Sequence, residues 1–333
     1  MVAASALLID EPVSARQAIL EALKKHDDQS IRQSSARYKR AVIITLLSPL
    51  AVLCLAIALF LPVVGLVLLE CVFIIAALLT YLPPLRDWHK GWIQERLRTE
   101  LLRREEQLFL ARVGPYLETV RGSLSDLVTA RLLVIEDPAK NPFELLRMAD
   151  DKMDWSEALE DAHHTGKTCV FPETAFDSKL ENYLKHRVHE QRDWFWSKSK
   201  EHGKRAQMLE NGVICVLIFA LISSAFHIGS LWHPSGIVRD FWHDLVTVLA
   251  ILCPAIGAAI VAWLAIQGSS RLSRSYRNTA MELTHYEQRL TNLRTENAVQ
   301  FRFRRVVLEV ERLLTDELRQ WWLVIYPETP KAR

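Results

Sequence analysis

His163 and His164 stand side by side with Cys169 close behind, and His186 is followed one helical turn later by His189. Imidazole and thiolate are ligands that zinc favours. A tetrahedral site, however, needs several such groups converging with ordered spacing, and only the i,i+3 pair offers any. These side chains read as surface histidines, and no metal is expected. Asp150, Asp151, Asp154, Glu157, Glu160 and Asp161 crowd one stretch. Clustered carboxylates serve general acid–base chemistry in some settings, but here a solvated face or a docking surface fits better. Ser, His and Asp residues are present without a nucleophile elbow or a glycine-rich phosphate loop around them. Neither an enzyme nor a cofactor is expected.

The most informative ionisable residue is Glu70, because of where it sits. From Ala41 to Leu82 it is the only Asp, Glu, Lys or Arg, and none occurs from Asn211 to Val238 or from Leu245 to Ser270. A water-soluble amphipathic helix shows a polar stripe along its length, and these stretches show none. About 20 apolar residues span a bilayer core, and all three stretches exceed that. A carboxylate placed mid-bilayer costs roughly 2.5–3.5 kcal/mol to insert, so it usually faces a bundle interior or water. Glu70 therefore reads equally as a pore-lining cation site, with Ser48 and Thr45 as further lining candidates, or as a protonated carboxyl bonded to a neighbouring helix.

The block 41–83 would measure ~64 Å as one helix at 1.5 Å per residue, too long for a single crossing. A break at Leu61-Pro62 divides it into a tight hairpin. A second hairpin follows, with spans near 208–230 and 244–268 joined by a loop carrying Trp232 and Trp242. Pro49 and Pro254 are candidate gating kinks, although most membrane prolines are static. Ala255, Ala258, Ala259 and Ala262, with Gly257, form a small-residue face suited to close helix packing. The expected fold class is an all-α membrane protein, with four transmembrane helices as two hairpins and cytosolic helical extensions.

The expected organisation is a cytosolic N-terminal helix (1–40), hairpin 41–83, a cytosolic helical region (84–207), hairpin 208–268 and a long C-terminal helix (269–333). Arg271 to Tyr326 contains no Gly or Pro. Tyr286, Leu293, Val307, Leu314 and Trp321 recur there at multiples of seven, with Gln300 interrupting, which suggests coiled-coil-like packing. The charged helix after the first hairpin is expected to stop at Gly114-Pro115. Seven Lys/Arg precede the first hairpin between Arg16 and Arg40, and the 61–66 turn has none. The positive-inside rule then places both termini and the middle region in the cytoplasm. Of the five cysteines, Cys54, Cys71, Cys215 and Cys253 lie in apolar spans and Cys169 outside them. No Cys-x-x-Cys pair occurs, so no disulfide framework is expected. The start lacks a basic segment before its short apolar run, so no signal peptide is expected. Net charge near +2 with basic residues flanking apolar segments gives no nucleic-acid face.

Trp92, Arg96, Glu100, Leu101 and Glu105, closing at Gly114-Pro115-Tyr116 after two apolar spans, form a layout that resembles the SLATT or DUF4231 family of bacterial two-helix membrane proteins. The approach to the second hairpin, with Arg187, Gln191 and Trp194, is similar as well. The likeness covers roughly 30–116 and 185–295, as two tandem copies in parallel orientation. The resemblance implies a membrane effector of bacterial antiphage or stress signalling in the inner (plasma) membrane, answering a nucleotide-derived signal. No glycine-rich nucleotide fingerprint is present, so the sensor is expected on another polypeptide, a cytosolic partner docking on 116–185. The expected function is a homo-oligomeric pore or membrane-perturbing channel in the lipid bilayer. The alternative is a non-conducting membrane anchor or scaffold that recruits a cytosolic partner. A small-solute transporter is the weaker third reading.

Overall fold

The computed structural model describes residues 13–58, 72, 83–117, 124–137, 140, 144–145, 155–165, 171–231, 237–293 and 299–325. Among these residues every regular element is helical. They fall into two compact units. Unit 1 takes in Met1–Arg32, Gly91–Ser199 and Ser273–Arg333, and unit 2 takes in Gln33–Lys90 and Lys200–Leu272.

Helix α1 (Val13–Ala58) gives its first turns to unit 1 and the remainder, including Pro49, to unit 2. In unit 1 it buries Ala15, Ile19, Ala22, His26 and Ser30, a three-to-four-residue stripe that marks one helix face. Helix α2 (Pro83–Ala111) buries Ile93, Leu97, Leu101, Leu102 and Leu108 on the same principle. A 3₁₀ turn (Gly114–Tyr116), α3 (Leu124–Glu136) and α4 (Trp155–His164) follow. Helix α5 (Glu173–Tyr183) passes through a π-helical turn (Leu184–His189) into α6 (Glu190–Leu231). Then come α7 (Ile237–Gln267), α8 (Ser269–Asn292) and α9 (Val299–Ile325).

The end of α2 illustrates how local chemistry sets a boundary. Val113 N–H donates to the Leu108 carbonyl (3.1 Å) and Arg112 N–H to that of Phe109 (3.2 Å). This is the Schellman pairing, and it puts Arg112 in the left-handed region at φ 53°. The expected stop at Gly114-Pro115 is near, but the residue that turns the chain is Arg112, whose guanidinium lies 5.3 Å from the Phe109 ring centre. Gly114, at φ +62°, then starts the 3₁₀ turn.

The C-terminal region is not one long helix. Arg289 on α8 donates to Glu309 on α9 at 2.5 Å, and Ser275 to Gln320 at 3.2 Å. Along a straight helix residues 20 apart would lie ~30 Å apart, so α9 runs back against α8. Residues 294–298, between them, lie outside the described residues. The expectation of an uninterrupted stalk over 269–333 is therefore replaced by an antiparallel helix pair. Gln300 breaks the sevenfold spacing for a concrete reason: its side-chain amide pairs both ways with the Phe171 backbone, at 2.9 and 2.8 Å.

In unit 2, two helices are long and apolar enough to cross a membrane among the described residues, lying within Ala175–Phe226 and Leu245–Asn292. Only 11% of the most apolar stretch of each is buried, whereas the core helix of a water-soluble domain would be mostly covered. These are the two spans of the second expected hairpin; of the four expected, these two are found among the described residues. Residues 59–71 and 73–82, most of the first hairpin, lie outside the described residues.

Candidate functional site

The membrane-facing part of the site is the α6–α7 hairpin. Ala220 and Ser223 on α6, and Cys253 and Gly257 on α7, are buried within unit 2. A Cβ at Gly257 would meet Leu217 Cδ2 at 3.7 Å and Val216 Cγ1 at 3.8 Å, ordinary van der Waals distances, so Gly257 packs against α6 with room for a methyl group. Leu221 and Phe226, at 75% and 68% exposure, turn large apolar surface outward. Uncovered apolar area on that scale is what a lipid-facing helix presents and what a water-facing one avoids.

Of the small-residue face, Ala258 and Ala262 are exposed, Ala255 and Ala259 half-buried, and Gly257 buried. The contact inside this chain thus runs through Cys253 and Gly257. Pro254 is inside α7, which continues through it, and Thr45, Ser48 and Pro49 fall within α1. Glu70 lies outside the described residues. Because Gly257 faces ordinary van der Waals space, Gly257→Ala should hold or raise stability by up to about 1 kcal/mol through helix propensity. Gly257→Phe must push Val216 and Leu217 aside and should cost about 1–3 kcal/mol. Thermal unfolding of the detergent-solubilised chain distinguishes the two, and equal losses for Ala and Phe would refute the packing of Gly257 against Val216 and Leu217.

Unit 1 carries its chemistry on buried ion pairs. Arg187, on the π-turn, grips Glu311 of α9 with two bonds, Nε to Oε1 at 2.9 Å and Nη2 to Oε2 at 2.7 Å, and Tyr183 Oη donates to the same carboxylate at 3.2 Å. Burial works against the Arg187 charge, but Glu311 outweighs it and holds the guanidinium firmly protonated. A π-turn shifts side-chain phase by one residue, and such turns recur where a group must be aimed off the regular helical face. A second triad joins Glu105 of α2 to Arg131 of α3 (2.7 and 2.5 Å) and to Tyr116 Oη (2.8 Å). Burial, with Glu105 adding to it, drives the Tyr116 hydroxyl well above its ordinary range, so it remains a donor.

Other charges close helix ends. Arg98 donates to the carbonyls of Ile135 (3.2 Å) and Asp137 (3.0 Å) at the C-terminus of α3. Lys179 and Arg304 do the same for Leu110 (3.2 Å) and Ala111 (3.3 Å) at the end of α2. Cations there satisfy orphan carbonyls and suit the helix dipole. His26 bridges Glu95 (Nδ1–Oε2, 2.5 Å) and Glu136 (Nε2–Oε1, 3.3 Å). Burial opposes ionisation of Glu95, but His26 and Arg98 prevail and hold its carboxyl below the usual range; Lys25 leads the same effect on Glu136.

A cavity of about 1020 Å³ opens inside unit 1, walled by α1, α2, the α5–α6 stretch and α9. Arg96, Glu100, Arg187, Gln191 and Trp194, residues that carried the sequence resemblance, all line it. Arg96 places its guanidinium 5.5 Å from the Trp194 ring centre and 5.3 Å from that of Trp321. Trp321 meets Trp92 edge-on at 5.3 Å.

The histidines singled out in the sequence have individual partners. His163 stacks on Phe301 at 4.3 Å, His186 bonds Glu190 at 2.7 Å, and His189 bonds Glu287 at 2.6 Å. Of the acidic stretch, Glu160 pairs with Arg305 at 3.4 Å, while Asp150, Asp151 and Asp154 lie outside the described residues. Sequence reasoning missed the Arg187–Glu311 and Arg131–Glu105 pairs and the cavity. One signal was available: Glu311 falls among Val307, Val310 and Leu314, at a position where helical spacing demands burial.

Residues 183–321 match the family model of the SMODS and SLOG-associating 2TM effector domain 1. The match runs from the end of α5 through the membrane hairpin to Trp321 on α9, and it overlaps the second of the two segments for which the sequence shows a likeness. No curated protein and no solved structure matches the chain.

Proposed function

We propose that this chain, which bears a 2TM effector domain over 183–321, is a homo-oligomeric effector that perturbs or perforates the bacterial inner membrane, without enzymatic activity of its own. The observation that carries the reading is the α6–α7 hairpin, whose most apolar stretches are only 11% buried and so call for lipid or for further copies of the chain. The finer picture is four spans, both termini in the cytoplasm, and the 41–83 hairpin supplying Glu70 to the conducting path. A cytosolic sensor protein, or a nucleotide-derived signal acting through it, would set the state in antiphage or stress signalling. Helices α1 and α6 suit such a switch, because each includes residues of both units, and a continuous helix transmits rotation or translation along its axis.

The test is reconstitution of the full chain in liposomes carrying an entrapped dye and a cation-sensitive probe. Wild-type protein is expected to release both, and Glu70→Gln to lower cation flux several-fold while leaving insertion intact. If the wild-type chain inserts as a monomer and releases neither, the pore reading fails and a non-conducting anchor or scaffold takes its place. If Glu70→Gln conducts with unchanged selectivity, the carboxylate does not line the path.

A further inference from the structure

The two charge-free stretches of the membrane hairpin end at Glu210 on α6 and at Arg271 on α8, the first charged residues met on leaving each. Ser270 Oγ donates to Glu210 Oε1 at 3.4 Å, so these two ends, 60 residues apart in the chain, stand at one level. With the hairpin across a bilayer, that level marks the edge of the hydrocarbon core. At 1.5 Å per residue, Arg205 lies ~7.5 Å beyond it along α6, Lys204 ~9 Å and Lys200 ~15 Å. The headgroup layer is about 5–7 Å deep, and electrostatic reach in physiological salt adds ~8 Å. All of these cations, with Arg271, therefore act on lipid headgroups. Their partners separate them. Arg205 is paired with Glu201 at 2.5 Å, whereas Lys200, Lys204 and Arg271 are exposed and have no carboxylate partner among the described residues. Lys200 and Lys204, four residues apart, share one helix face, and all three belong to unit 2.

We propose that Lys200, Lys204 and Arg271 form a docking surface for anionic phospholipid headgroups, which surrounds this hairpin with a shell enriched in acidic lipid. A zwitterionic headgroup carries its own cation beside the phosphate and leaves little net field for the protein to meet. An acidic headgroup leaves one negative charge uncompensated, and three cations without carboxylate partners answer it. Their long apolar stems lie along lipid while the charged ends reach the phosphates. Clustered Lys and Arg immediately outside a membrane helix act in this way. The proposal rests on the hairpin's crossing the bilayer and does not depend on whether the chain conducts.

The full chain is reconstituted in phosphatidylcholine bilayers with a trace of spin-labelled phosphatidylglycerol or of spin-labelled phosphatidylcholine. Electron paramagnetic resonance reads the fraction of each label immobilised against the protein. In ~0.1 M salt the acidic label is expected to be favoured about threefold or more, and in ~1 M salt, where screening sets in within ~3 Å, the two should converge. Lys200→Gln/Lys204→Gln/Arg271→Gln changes only exposed side chains and should bring the ratio close to one, with the phosphatidylcholine label still immobilised. Lys185→Gln removes an exposed cation on the π-turn, ~38 Å along the helix from Glu210, and should keep the preference. Replacing chloride by inorganic phosphate at equal ionic strength should leave it unchanged. No preference in wild type, a preference kept by the triple variant, or an equal loss in Lys185→Gln would each overturn the proposal. So would abolition by inorganic phosphate, which would mark a free-anion site instead of a lipid surface. If neither label is immobilised the hairpin is not in the bilayer, and the membrane reading falls together with the proposal.

Discussion

Arg187→Met is expected to lower the stability of the chain by roughly 3–5 kcal/mol, the cost of stranding one member of a buried ion pair. The Arg187 and Glu311 side chains are 5% and 1% exposed, so no water replaces the two lost bonds. The Tyr183 hydroxyl remains on Glu311, but a single neutral donor at 3.2 Å does not offset a buried carboxylate. The double variant Arg187→Met/Glu311→Leu should recover most of the loss, because two apolar side chains of similar volume need no compensation in that space. Thermal or denaturant unfolding of these two variants and of Glu311→Leu alone, in detergent, gives the coupling. A single-variant loss below about 1 kcal/mol, or a double variant as unstable as the single, would show that the pair is not buried as described. The consequence reaches the site, since the pair ties the π-turn to α9 and so fixes one wall of the cavity.

Glu317→Gln should act in the opposite direction, raising stability at alkaline pH. The free carboxyl has its ordinary value of 4.5 and the folded one about 8, so between these values the folded chain holds a proton that the unfolded chain has released. Stability therefore falls as pH rises from 4.5 to about 8 and stays at its lower level above that. Glutamine cannot ionise and escapes the decline. At pH 9 the variant should be more stable by roughly 2–4 kcal/mol, allowing for solvent reaching the cavity, and near pH 4 the two should coincide. Glu95 and Glu136 carry the reverse sign, since their folded carboxyls are held low; their contribution is complete above the ordinary value of 4.5 and is lost as pH falls through the lowered folded values. Unfolding free energy followed across pH 4–9 separates these effects. A wild-type curve that stays flat from pH 5 to 8.5 would mean that Glu317 is solvated.

The helical class and the second hairpin were legible because lipid and helix geometry impose strong local rules. Long runs without charge, such as 245–270, admit few other readings, and the three-to-four-residue apolar stripe of α9 names its buried face directly. The resemblance in Arg187, Gln191 and Trp194 falls within the matched segment 183–321. What stayed hidden was pairing. Arg98, Arg187 and Arg304 look like solvated charges along the chain, yet each is buried on a partner 37 to 193 residues away. The antiparallel return of α9 was equally invisible, because an absence of Gly and Pro over 271–326 permits one helix or two.

The residues that could do chemistry thus divide by the range of the forces acting on them. Sequence alone determined that the chain is helical and that its second hairpin is apolar enough for a bilayer, since each rests on the side chains of a few consecutive turns. Only the tertiary structure decided which charges are neutralised and which polar atoms lack a partner. Arg103 and Arg187 are engaged while Arg96 Nε and Glu317 Oε1 are unpaired, and that difference depends on what packs opposite them from distant helices. The periodicity of a single helix carries no information about its neighbours' polar atoms, so pairing, like the cavity between these helices, comes into being only when the helices meet.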